Sequence, residues 1–219
     1  MSTYVISDIH GEYEAFSEML ELINFSEKDV MYVLGDMVDR GPKPLKVIEH
    51  VMAAPNMFAL KGNHEDMLYD IIKNYGMTGS IASGMSQGTV SYTTYKKLRK
   101  LWYKDRYAAA KIISYIQNLP YDFTIEVEGI KYLLVHAGIR PEGLKPTGKT
   151  DKLWIREEFY NYRHRFPGIV IFGHTPTEFL HGKNTIYYDK DKIGIDCGAC
   201  FSGGQLGCLR LDDFQEFYV

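Results

Sequence analysis

Six short runs of β-branched and aromatic residues punctuate the chain: "TYVIS" (3–7), "VMYVL" (30–34), "MFAL" (57–60), "KYLLV" (131–135), "IVIF" (169–172) and "IGID" (193–196). Most are apolar at every position rather than at alternate ones, as in strands covered on both faces. Helical patterns lie between the early runs. Phe16, Met19, Leu20 and Ile23 share one helical face, and so do Leu45, Ile48 and Met52, after a Pro44 suited to a first turn. Strand, helix, strand, helix, strand predicts an α/β layered fold. At 219 residues the chain fits a single domain, 1–219, large enough to bury a core without disulfide staples.

Residues 64–119 depart from this alternation and read as a helical insertion. Helices there are interrupted by the Gly/Ser-rich "NYGMTGSIASGMSQG" (74–88), and Tyr95, Leu98, Leu101 and Trp102 form one stripe. The segment "RYAAAKIISYIQNLP" reads as a further helix, ended before Pro120. From "NTIYYD" onward the chain reads as strands and turns.

The strand ends carry the chemistry. "VISDIHG" ends a run with Asp8 and His10, and "LGDMVDRG" with Asp36, Asp39 and Arg40. "LKGNHED" ends one with Asn63 and His64, "LLVHAG" with His136, and "IFGHT" with His174. In a parallel-type α/β sheet the carboxyl ends of strands line one edge, where ligands bind. A single Asp or Asn after a strand is ordinarily a turn former or helix cap, and a single His an ordinary packed residue. Five such ends together imply a shared site. Gly11, Gly35, Gly41, Gly62, Gly138 and Gly173 flank these residues and suit tight turns. His50, His164 and His181 lack this context and read as packing or surface residues. Carboxylate, imidazole and amide oxygen together suit a pair of Mn, Fe or Zn ions better than Mg or Ca.

The ordered set "SDIHG", "GDMVDRG", "GNHED", "HAG" and "GHT" resembles the metallophosphoesterase superfamily, and "GDMVDRG … GNHE" resembles its bacterial-type serine/threonine phosphoprotein phosphatase family. The resemblance spans Asp8 to "IDCGACFSGG" (195–204) and implies a layered metallophosphoesterase-like fold, calcineurin-like in type, with central mixed sheets flanked by helices. It implies that Asp8 and His10 bind a first metal, that Asp36 bridges two, and that Asn63, His136 and His174 bind the second. By the same resemblance His64 is a general acid oriented by Asp39, and Arg40 and Arg156 (in "LWIREEF") hold the substrate phosphate. The implied enzyme is a serine/threonine protein phosphatase with two divalent ions, Mn foremost and Fe or Zn compatible. It would hydrolyse phosphoserine and phosphothreonine, and phosphotyrosine as a further substrate, by direct attack of a metal-bridging hydroxide. Ser7 and Cys197 depart from the family pattern. Cys197 and Cys200 form C-x-x-C, which without a second pair reads as structural.

Phosphorylated proteins or peptides are therefore the expected partners. A net charge of −3 with interspersed signs argues against nucleic acid, and the basic "KKLRKLWYKDR" (96–106) reads as a solvated helix face. No apolar run reaches the ~18 residues of a membrane span, and the N-terminus lacks a signal-peptide pattern. Three cysteines fit a reducing cytoplasm. The rival readings are a symmetrical dinucleoside tetraphosphatase, which usually lacks the second Asp of "GDxVDRG"; a nuclease of the same superfamily; and a non-catalytic scaffold, which should have lost ligands.

Overall fold

The computed structural model describes residues 1–78, 91–142 and 146–219. In chain order these form β1 (Thr3–Ile6), α1 (Tyr13–Leu22), β2 (Val30–Val33), α2 (Pro44–Ala53), β3 (Met57–Ala59) and α3 (Asn63–Tyr75). There follow α4 (Tyr92–Lys104), α5 (Arg106–Asn118), β4 (Asp122–Val127), β5 (Ile130–Val135), α6 (Lys149–Trp154), α7 (Glu157–Tyr160) and β6 (Ile169–Phe172). The chain closes with α8 (Glu178–His181), β7 (Tyr187–Asp189), β8 (Lys192–Gly194), β9 (Gly207–Arg210) and β10 (Glu216–Tyr218).

Among the described residues the strands make two five-stranded sheets, ordered β10-β9-β1-β2-β3 and β4-β5-β6-β8-β7. Each is mixed. β1, β2 and β3 run parallel in the first, β5, β6 and β8 in the second, and the remaining strands add antiparallel. The α/β layered architecture is thus the one expected, with the helical insertion (α3, α4 and α5) between β3, an edge strand of the first sheet, and β4, an edge strand of the second.

The continuous apolar runs are explained by burial on both faces. In β1, Tyr4 and Ile6 enter a core beneath the helices of the N-terminal half, while Val5 points into the layer between the sheets. In β6, Ile171 joins that inter-sheet layer, and Val170 and Phe172 pack with Ile155 and Phe159 on the opposite face.

Three sequence expectations are corrected in detail. α2 buries Val47, Ile48 and Val51, leaving Leu45 and Met52 half-buried, because the helix turns one residue further toward its sheet. The run "IGID" contributes strand only through Gly194; Ile195 and Asp196 already belong to the loop. The strand β4 lay outside the apolar runs because it is an edge strand with a half-exposed, alternating pattern. Of the Gly/Ser-rich stretch, residues 79–88 lie outside the described residues. No described helix is long and apolar enough to cross a membrane.

Candidate active site

Loops at the carboxyl ends of six strands meet where the two sheets adjoin. β1, β2 and β3 deliver Asp8 and His10, Asp36 and Asp39, and Asn63 and His64; β5, β6 and β8 deliver His136, His174 and Asp196. The sequence pointed to one rim; the structure builds it from two sheets. All nine side chains are nearly inaccessible, His136 completely so.

The flanking glycines contribute to the turns as expected, with Gly11, Gly35 and Gly138 at positive φ, but they do not act alone. Asp8, His10, Asp36, Asp39, Arg40 and His174 themselves take left-handed backbone, with φ between 46° and 69°. Non-glycine residues rarely do so, and such strain persists only where the surroundings enforce it. Here the two loops are zipped together: His10 N–H donates to Asp36 O (2.8 Å), Gly11 N–H to Met37 O (2.9 Å) and Gly41 N–H to His10 O (2.7 Å). Gly35 does have φ +91°. Gly62 instead has extended backbone and is needed for space, since a Cβ there would collide with the Asp36 carboxylate.

Glu65 underlies this construction. It is fully buried, and its carboxylate accepts backbone N–H groups from Asp36 (2.8 Å), Met37 (2.8 Å), Val38 (3.3 Å) and Gly62 (2.9 Å). Four otherwise unpaired buried donors are satisfied by one side chain, which fixes the Asp36 loop against α3.

Two donor groups overlap on Asp36: His10, Asp36 and His64 form one, and Asp36, His136 and His174 the other. Their protonation is legible from hydrogen bonding. His136 Nδ1 lies 2.8 Å from Leu34 O, and His10 Nδ1 lies 2.8 Å from Val38 O. A carbonyl only accepts, so each Nδ1 carries its proton. Burial holds both imidazoles below their usual range, His10 at about 4. In the neutral ring Nε2 then carries a lone pair. His136 Nε2 nonetheless faces the Asn63 Oδ1 acceptor at 2.9 Å, and His10 Nε2 faces Asp36 Oδ2 at 3.6 Å. His174 Nδ1 approaches the same Asn63 oxygen at 3.0 Å, and its Nε2 is buried with no partner. Burial pushes the His174 ring down to about 2. Burial, and then the neighbouring Asp8 charge, hold the Asp36 carboxyl well above its ordinary range. Lone pairs converging on lone pairs around a reluctant carboxylate are what a pair of cations would resolve. The residues therefore fit a two-cation centre.

Beside it, His64 Nδ1 lies 2.7 Å from Asp39 Oδ2. Burial would raise the Asp39 carboxyl, but hydrogen bonds from His64, Ser91 and Thr94 outweigh it and hold the group below its usual range. A cleft of about 450 Å³ opens over the centre, and both Arg40 and Arg156 line it. Arg40 lies over the Phe201 ring at 4.9 Å, and Arg156 donates to Thr175 Oγ1 at 3.2 Å. Trp154, Phe179 and Phe201, all substantially exposed, rim the same cleft.

Every residue singled out by sequence is brought into this region. Sequence reasoning passed over Glu65, Asp196, Ser91 and Thr94. Asp196 lines the cleft, and burial and the nearby Asp8 push its carboxyl well up. Its signal was available, a carboxylate at the end of a strand run in "IGID". Ser7, which departs from the family pattern, donates its hydroxyl to Asp8 Oδ2 at 2.5 Å. In the C-x-x-C pair, Cys197 and Cys200 are free thiols, each pushed up to about 12 by burial. His50, His164 and His181 stand apart from the site, in contact with Phe16, Asp191 and Thr185.

Two stacked mixed sheets with oxygen and nitrogen donors around one shared carboxylate define a metal-binding hydrolase. The chain matches the calcineurin-like phosphoesterase model over residues 1–205 and belongs to that family. It is 27% identical to serine/threonine-protein phosphatase 1 of Salmonella typhimurium over 214 residues, 95% of this chain and 91% of that protein. It is 48% identical to the symmetrical bis(5'-nucleosyl)-tetraphosphatase of Wigglesworthia glossinidia brevipalpis, but over only 67 residues, 30% of this chain and 25% of that one. The enzyme of the same description from Coxiella burnetii is 30% identical over 142 residues, 64% of this chain and 43% of its own length. The chain thus spans less than half of these two tetraphosphatases. The fold is shared with a metallophosphoesterase from Sphaerobacter thermophilus (TM-score 0.61, 20% identity, 100% of this chain and 88% of that one). It is also shared with a yeast protein serine/threonine phosphatase (TM-score 0.60, 15% identity, 96% and 72%).

Proposed function

We propose that this phosphoesterase is a cation-dependent phosphomonoesterase acting on phosphoserine and phosphothreonine in proteins. The observation that carries the reading is the buried 2.7 Å pairing of His64 with Asp39 beside the donor cluster. Asp8, His10 and Asp36 would hold one divalent cation, and Asp36, Asn63, His136 and His174 the second. Bound cations supply Lewis acidity toward phosphate oxygens and lower the pKa of a coordinated water. The guanidinium forks of Arg40 and Arg156 match the remaining phosphate oxygens. A serine alkoxide leaves poorly and needs a proton, which His64 is placed to give. Asp39 keeps the Nδ1 proton in place, so that Nε2 faces the reacting group and carries the transferable proton.

The second reading is symmetrical dinucleoside tetraphosphate hydrolysis. The identity to the Wigglesworthia enzyme favours it, and so do the exposed Trp154, Phe179 and Phe201, which could stack a nucleobase. The test is kcat/KM, with Mn²⁺, on phosphoserine, phosphothreonine and phosphotyrosine peptides against diadenosine tetraphosphate. The peptides are expected to be preferred. Strong preference for the dinucleotide, with poor turnover of every peptide, overturns the phosphoprotein reading.

Arg156→Ala is expected to lower kcat/KM roughly 10- to 150-fold, the equivalent of about 1.5–3 kcal/mol for a hydrogen bond to a charged group. Bound metal should be unchanged and inhibition by free phosphate weakened. Unaltered kcat/KM and phosphate inhibition would remove Arg156 from the phosphate site.

A further inference from the structure

Asp39 is held from both of its oxygens by the helical insertion. Ser91 Oγ donates to Asp39 Oδ2 at 2.5 Å, the oxygen that also meets His64 Nδ1. Thr94 Oγ1 donates to the other oxygen, Oδ1, at 2.5 Å. The same threonine oxygen accepts the Asp39 backbone N–H at 3.0 Å, so Thr94 grips the residue at main chain and side chain together. Ser91 and Thr94 are nearly inaccessible, Thr94 completely. Both sit at the start of α4, Ser91 in a left-handed conformation (φ 68°) immediately before it.

From this geometry we propose that Ser91 and Thr94 are positioning residues, a hydroxyl clamp through which the start of α4 aims the Asp39–His64 pair. The physical need is clear from the rotamers. The terminal torsion of an aspartate is broad, and one bond to an imidazole does not fix it. Two hydroxyls on opposite oxygens do fix it, and with it the plane in which the His64 ring lies. A displacement of about 1 Å in a reacting group costs on the order of 10²-fold in rate. Helix α4 thereby acquires a role in the chemistry although neither hydroxyl reaches the substrate. This inference rests on the reading of His64 as proton donor.

The experiment compares Thr94→Val, which keeps the shape and loses the hydroxyl, with Thr94→Ser, which keeps the hydroxyl, and with Ser91→Ala and His64→Asn. Each is assayed with Mn²⁺ on phenyl phosphate, a poor leaving group, and para-nitrophenyl phosphate, a good one, with bound metal measured in parallel. Thr94→Val should lower kcat on phenyl phosphate roughly 10- to 100-fold and on para-nitrophenyl phosphate several-fold less. KM and bound metal should hold, and Thr94→Ser should recover most of the loss. Ser91→Ala should show the same asymmetry and carries the test if Thr94→Val does not fold. If His64→Asn shows the asymmetry and the clamp variants lose equally on both substrates, lose nothing, or lose metal, the clamp is overturned while the proton-donor reading stands. Equal losses for His64→Asn itself overturn both.

Discussion

Stripping divalent cations should abolish hydrolysis of para-nitrophenyl phosphate, and adding Mn²⁺ should restore it. Asp8, Asp36 and Asp196 are buried carboxylates within one small volume, and Glu65 is buried directly behind them. Burial, and after it the charge of Asp8, already keep the Asp36 and Asp196 carboxyls well above their normal range. Cations supply the positive charge that lets these groups ionise together. They should therefore stabilise the fold as well as enable chemistry. At a hundredfold excess over Kd one bound ion contributes about 2.7 kcal/mol. For a chain of this size that is roughly 5–11 °C in Tm. Asp36→Asn removes the carboxylate common to both donor groups and should lose activity together with most of that thermal shift. Full activity in a verified metal-free preparation would sink the two-cation reading.

The second large effect is expected for His64→Asn. Loss of a general acid should lower kcat about 10²- to 10⁴-fold on a phosphoserine peptide. That is about 3–5 kcal/mol of transition-state stabilisation. On an aryl phosphate with a good leaving group the loss should be clearly smaller, because that oxygen departs without a proton. Metal content decides between two roles. A carboxylate behind an imidazole also occurs behind metal-bound histidines, and the His64 ring lies only 4.6 Å from that of His10. Retained metal with a leaving-group-dependent loss identifies the acid. Lost metal makes His64 a ligand instead, and equal loss on both substrates overturns the acid role.

Much of this was readable in one dimension. The strand runs of the parallel triplets, the two early helices and the helical character of the insertion all follow from short-range apolar patterning. Donors from Asp8 to His174 could be read because each stands at the end of such a run. β4 was missed for the same reason, since an edge strand buries one face and lacks the continuous signal.

The residues that hold the site are a different matter. Glu65 reads in sequence as an ordinary charged residue of a first helical turn; only the fold turns it inward to four backbone donors. Ser91 and Thr94 follow Asp39 by 52 and 55 residues and meet it only when α4 packs beside the β2 loop. Local sequence thus determined which chemical groups the chain possesses and the strand ends that present them. Tertiary structure decided that two sheets adjoin rather than one edge forming the rim, and that Asp8, His10, Asp36, Asp39, Arg40 and His174 take left-handed backbone. Such conformations cost energy locally and persist through long-range hydrogen bonds that no window of neighbouring residues contains.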